Sequence, residues 1–225
     1  MGIAENIETI RKNVEAVAGG RRVYLVAATK MNPAEAVRAA VAAGVDACGE
    51  NRVQEFLEKD ALGAYEGAEK HFIGHLQRNK VNKIVGRAGL IHSVDSAVLM
   101  DLVDRAASRL GIVQDILIEI GIAGETQKSG ADPEALPALL EHGSRLGALR
   151  VRGLMCVPPV QTVAGANRRY FAAMKQLFVD NSEKKYDNVT MEFLSMGMTD
   201  DYADAVAEGA NMIRVGSGIF GARRY

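Results

Sequence analysis

The chain has 225 residues, 48% hydrophobic and 24% charged, with 27 Lys+Arg against 28 Asp+Glu and a formal charge of -1. That composition excludes a disordered or fibrous protein and predicts one globular domain over residues 1–225. No basic excess invites nucleic acid or an anionic membrane, and apolar runs such as residues 23–28 are too short to span a bilayer. The N-terminus carries acids where a signal peptide would carry Lys or Arg, so the expected location is the cytoplasm. Two cysteines, Cys48 and Cys156, form neither a disulfide framework nor, unaided, a metal site; no metal is expected.

The chain opens on a helix, with Ile3, Ile7, Ile10, Val14 and Val17 on one face and Gly19-Gly20 ending it. Residues 23–28 follow as a buried strand. Asn32-Pro33-Ala34-Glu35 then reads as N-cap, Pro at N1 and Glu at N3 of a helix running to Gly44. The alternation repeats, with further strands expected at 45–48, 71–73, 90–93, 114–120, 149–155, 190–194 and 212–215. Two helical stripes stand out between them. One is Val98, Leu99, Leu102, Val103, Ala106 and Leu110; the other is Tyr170, Phe171, Met174, Leu177 and Phe178. Strands alternating with helices predict a parallel sheet, and eight units predict a single TIM-type (β/α)8 barrel with an extra N-terminal helix. An open doubly wound sheet is the competing architecture.

In such a barrel the chemistry collects where strands run into loops. Gly216-Ser-Gly-Ile-Phe-Gly221 matches G-x-G-x-x-G, but only four residues follow it. A dinucleotide fold needs a full helix, a second strand and an acid some way beyond. The loops after the seventh and eighth strands instead suit a phosphate: glycine lets backbone N–H groups approach, and Ser217 adds a hydroxyl. Ser195-Met-Gly197 supplies the neighbouring loop.

Lys30 follows six apolar residues. It is either a solvated strand end or an amine near dry surface, able to lose its proton and form an imine. Lys128 reads as an exposed loop residue. Arg214, inside the last strand, requires a partner, either an internal carboxylate or an acceptor on a ligand. Asn51 is compatible with an N-cap, with Gln54 completing a capping box. His71, His75 and His92 have no metal spacing. Two ligands fit a barrel with one amine and one phosphate clamp. They are a sugar phosphate, as in an aldolase, and pyridoxal 5′-phosphate (PLP).

Several segments together resemble the pyridoxal phosphate homeostasis proteins. They are Val26-Ala-Ala-Thr-Lys30, Gly49-Glu-Asn-Arg-Val-Gln-Glu55, His71-Phe-Ile-Gly-His-Leu-Gln77 with Asn79-Lys80, and Gln127-Lys-Ser-Gly130. Gly153-Leu-Met155, Leu194-Ser-Met-Gly-Met-Thr-Asp-Asp201 and Ile213-Arg-Val-Gly-Ser-Gly-Ile-Phe-Gly-Ala-Arg223 complete the set. Lys70, Cys48 and Arg52 depart from the aromatics usual at those places. The resemblance implies the barrel of the alanine racemase N-terminal domain and PLP held on Lys30 as a Schiff base. It places Ser195, Gly216 and Ser217 around the phosphate, Arg214 at the pyridine nitrogen and Asn51 near the ring.

It further implies a role in PLP balance without a defined reaction, PLP-dependent apoenzymes being candidate acceptors. A small amino-acid racemase of the same fold is the alternative. The expected absence of the racemases' second domain, which supplies a tyrosine base and a dimer contact, points to a monomer with little catalysis. Arg214 points the same way, since it donates hydrogen bonds and cannot accept one from a protonated ring nitrogen.

Overall fold

A computed structural model describes residues 2–124 and 130–221. Eight parallel strands form a closed barrel in sequential order. They are β1 (Tyr24–Ala28), β2 (Ala47–Glu50), β3 (Glu69–Phe72), β4 (Leu90–Val94), β5 (Gln114–Glu119), β6 (Leu149–Met155), β7 (Val189–Ser195) and β8 (Met212–Val215). The helices are α1 (Ile3–Ala18), α2 (Ala34–Ala42), α3 (Val53–Ala61), α4 (Val81–Ile84), α5 (Ala97–Leu110), α6 (Leu136–Ser144), α7 (Arg168–Ser182), α8 (Tyr202–Ala207) and α9 (Ser217–Phe220). The expected (β/α)8 barrel with an added first helix is therefore present, and the open-sheet alternative is not.

Two apolar cores follow from strand alternation. The larger lies between the sheet and the helices. The smaller fills the barrel interior with Val26, Ala47, Leu90, Leu117, Met155, Phe193 and Met212, against which Tyr24 packs. Helix α1 buries Ile7, Ile10 and Val14 while Val17 is exposed. It lies against α2, α8 and α9, and the Asn6 amide donates to the Ile219 carbonyl at 2.9 Å. The first helix thus seals the junction where β8 meets β1.

Some local details differ from the sequence reading. Pro33, not Asn32, caps α2, because the Asn32 amide turns back to donate to the Lys30 carbonyl at 3.0 Å. Strand β2 begins two residues late: the Asp46 carboxylate takes the Leu25 N–H at 2.7 Å and an Arg11 guanidinium N–H at 2.8 Å. On α5 the buried face comprises Leu99, Met100, Val103, Ala106 and Ala107. Val98 and Leu110 of the expected stripe lie exposed, since the barrel surface meets the helix one position round. At Gly153 the backbone has φ +144°, and a Cβ would sit 1.9 Å from the Phe193 carbonyl oxygen. Only glycine lets β6 and β7 approach through the irregular register there.

Candidate PLP site at the C-terminal rim

Lys30 stands two residues past the end of β1, in a tight turn closed by the Asn32 N–H on the Thr29 carbonyl at 3.1 Å. Met31 continues the turn at φ 62°, a left-handed conformation that a residue with a flexible side chain adopts only when its surroundings hold it. They do so on both sides of Lys30. The Met31 N–H donates to Glu55 Oε2 at 2.7 Å, and Lys59 Nζ donates to the Thr29 carbonyl at 2.8 Å.

Lys59 also meets Glu50 Oε2 at 2.6 Å and Glu55 Oε2 at 3.2 Å. The Thr29 hydroxyl donates to Glu50 Oε2 at 3.0 Å, and Glu50 Oε1 accepts the Asn51 N–H at 2.7 Å. Thr29, Glu50 and Lys59 are all buried. Burial alone would raise the Glu55 carboxyl; the Met31 N–H and the Lys59 ammonium outweigh it and hold the group below its usual value. This ionic knot fixes the peptide on either side of Lys30.

Thr29, Glu50 and Glu55 fall inside the matched segments 26–30 and 49–55, but neither they nor Lys59 drew a role from the sequence. The one signal was the i,i+4 spacing of Glu55 and Lys59, which ordinarily marks a solvated helix pair.

Asn51 is not an N-cap: Arg52 takes that place on α3 with no side-chain cap bond, and Gln54 pairs with Glu58 at 2.9 Å. Asn51 Oδ1 is instead buried without a hydrogen-bond partner. Gly74 fixes its backbone, since a Cβ there would fall 2.1 Å from the Asn51 carbonyl oxygen. A buried amide oxygen without a donor is the kind of group a ligand completes.

Arg214 is 4% exposed. Among the described residues its hydrogen bonds go to no carboxylate: Nη1 donates to Ser195 Oγ at 2.6 Å and Nη2 to the Cys156 carbonyl at 2.8 Å. Burial pulls its pKa below the ordinary arginine value, which still leaves a cation at neutral pH. Ser195 is fully buried and also lies 3.2 Å from His92 Nδ1. Its hydroxyl is thus engaged with Arg214 and His92.

Gly216 caps α9, and the Ser217 hydroxyl donates to Thr199 Oγ1 at 3.2 Å. The Gly218 N–H reaches the same oxygen at 3.2 Å. A Cβ on Gly218 would fall 3.2 Å from the Thr199 methyl in the loop after β7, so glycine lets the two loops approach closely. Thr199, inside the matched segment 194–201, joins the loops after β7 and β8. His75 is exposed, whereas His71 and His92 are buried. Lys128, most of the Gln127–Gly130 segment and the last two residues of the C-terminal match lie outside the described residues.

The chain belongs to the family described as the alanine racemase N-terminal domain, which matches residues 2–224. Within it, the chain is 41% identical to the pyridoxal phosphate homeostasis protein of Aquifex aeolicus, over 97% of this chain and 96% of that one. It is 38% identical to the protein of the same name in Pseudomonas aeruginosa, over 99% and 96%. The solved structure of PipY from Synechococcus elongatus PCC7942 with PLP bound superimposes with a TM-score of 0.85. It is 36% identical, over 97% of this chain and all of that one. Among the described residues, no helix is long and apolar enough to cross a membrane.

Proposed function

We propose that this protein binds pyridoxal 5′-phosphate and serves its homeostasis in the cytoplasm, with PLP-dependent apoenzymes as acceptors and little or no turnover of its own. The observation that carries the reading is the buried guanidinium of Arg214, which shares a barrel rim with the clamped turn of Lys30. Ser195 Oγ and the Cys156 carbonyl take two of the Arg214 hydrogen bonds; a guanidinium has five N–H donors, and the pyridine nitrogen of PLP is an acceptor for another. The buried Asn51 Oδ1 and the Gly216-Ser217-Thr199 cluster fit the rest of the cofactor. Both cysteines are free and buried, as suits a reducing compartment.

Lys30 would hold the cofactor covalently through its aldehyde. Asn51 would lie by the ring, Arg214 at the ring nitrogen, and Ser217 with the Gly216 loop at the phosphate. The position of Ser195 alters its assigned part. In the arrangement that satisfies His92, its one proton is spent there, and a phosphate needs donors. Ser195 therefore supports Arg214, and Ser217 and backbone N–H groups carry the phosphate.

When bound, PLP supplies an electron sink for carbanions at the α-carbon of amino acids. Arg214 limits that capacity, because a group that only donates keeps the ring nitrogen unprotonated. The Glu50–Lys59–Glu55 knot holds the Lys30 turn and does no chemistry on a ligand.

The test is to load the protein with PLP, reduce with borohydride and map the modified peptide. The label should fall on Lys30 and be lost in Lys30→Ala with the circular dichroism unchanged. Label mainly on another lysine would overturn the assignment. Exchange of the alanine α-proton into deuterated buffer should be slow; a rate near the enzyme median of about 10 per second would establish the racemase alternative.

A further inference from the structure

The barrel interior holds a column of polar side chains alongside its apolar filling. From Ser195 Oγ, seated on Arg214 Nη1 at 2.6 Å, it passes to His92 Nδ1 at 3.2 Å. His92 Nε2 lies 3.1 Å from His71 Nδ1, and His71 Nε2 lies 3.0 Å from Glu69 Oε2. The four residues from Arg214 to His71 are buried, on β8, β7, β4 and β3. Glu69 opens β3 at the N-terminal face, and its side chain is 71% exposed. The column therefore runs from the candidate ring site to solvent at the opposite end of the barrel.

The two ends dictate its direction. A guanidinium can only donate and a carboxylate can only accept. With both imidazoles neutral, one assignment satisfies every member: Ser195 donates to His92 Nδ1, His92 Nε2–H to His71 Nδ1, and His71 Nε2–H to Glu69. Both imidazoles are then protonated at Nε2. Any other pair of neutral tautomers sets two donors, or two acceptors, face to face without water, which costs the full desolvation of the unpaired group.

We infer that His92 and His71 are positioning residues for Arg214, which lock its guanidinium as a fixed donor at the ring nitrogen through a one-way relay ending on Glu69. The inference rests on the reading of Arg214 as the ring-nitrogen residue. Protonation of either imidazole puts a proton on His92 Nδ1 or passes the demand to it, so that Ser195 must accept where it had donated and the one-way order is lost.

Other charges surround both ends. Arg152 and Arg22 act on Glu69; Cys156, Glu119 and Asp201 act on Arg214. Burial pushes the Cys156 thiol up to about 12, so it stays neutral. Burial first, then His71 and Arg214, holds His92 well below the ordinary histidine value. His92 therefore stays neutral at neutral pH.

The test has two arms. In the ligand-free protein, nitrogen NMR of the histidine rings should show His71 and His92 neutral and protonated at Nε2. Glu69→Ala should abolish that preference at His71, while Glu69→Gln, which keeps an acceptor oxygen, retains it. In the PLP-loaded protein, Glu69→Ala should move the pH midpoint of the visible absorption band by about one unit, the scale of one charge-assisted hydrogen bond. Glu69→Gln should return it most of the way.

A wild-type ring protonated at Nδ1, or charged at neutral pH, would overturn the relay. A tautomer change without movement of the absorption profile would overturn the positioning role. Glu69 is largely exposed, so neither variant threatens the fold, and the wild-type NMR arm needs no variant. Failure to take up PLP would defeat the functional reading alone, because the first arm uses no ligand.

Discussion

Lys59 Nζ lies 2.6 Å from Glu50 Oε2, both side chains almost wholly out of solvent, and the same ammonium holds the Thr29 carbonyl beside Lys30. A surface pair of this kind contributes little, but removing one member of a buried pair strands a charge. The knot therefore joins the stability of the barrel to the placement of the candidate PLP lysine.

Lys59→Met should destabilise the protein by about 3–5 kcal/mol, measured by urea denaturation. It leaves Glu50 buried without its cation, although the Thr29 hydroxyl and the Asn51 N–H still donate to it. The double variant Lys59→Met, Glu50→Gln should recover much of that loss. Covalent uptake of PLP should nevertheless stay slow, since the turn carrying Lys30 has lost its clamp. Equal stabilities for the single and double variants would show that the pair acts independently.

Ser217→Ala should weaken PLP binding by about 1.5–3 kcal/mol, roughly ten- to a hundredfold, by loss of one hydrogen bond to a charged group. Pyridoxal without its phosphate should bind more weakly than PLP to wild type and should be almost insensitive to the same substitution. Equilibrium titration of the visible band gives both constants. Equal affinity for the two ligands would remove the phosphate from the Gly216-Ser217 loop.

Stability should fall as the pH drops below about 6.5. His92 has a folded-state pKa depressed below its unfolded value, so below that unfolded value the unfolded chain binds more protons, and acid favours it. Glu69, lowered first by its bond from His71, adds stability that is lost further down the scale as pH falls through its folded pKa. Above the unfolded histidine value neither group contributes a slope. Thermal melts across pH 5 to 8 test this, and His92→Gln should flatten the upper part of the profile. A wild-type curve level between pH 7 and 5.5 would contradict it.

The barrel was legible because its signals are local. The apolar run ending at Ala28, the glycines after β8 and the spacing of Ile7, Ile10 and Val14 need no knowledge of distant residues. The strand-end rule then put Lys30, Arg214, Gly216 and Ser217 on or beside the rim. The sequence alone thus determined the architecture and most of the residues worth testing.

Only the tertiary structure decided which polar groups meet. Ser195 reads as a loop residue beside a phosphate until closure of the barrel seats Arg214 on its hydroxyl, 19 residues away in sequence. Asn51 fits a capping box until α3 starts after Arg52 and leaves its oxygen buried. Lys59 looks like the exposed half of a helix pair, yet it reaches a carbonyl 30 residues back. His71 and His92 have no metal spacing, and their adjacency arises because β3 and β4 point both rings into the same lumen. Periodicity assigns a side chain to a face, but its hydrogen-bond partner is set by register and closure, and desolvation makes each such pairing decisive.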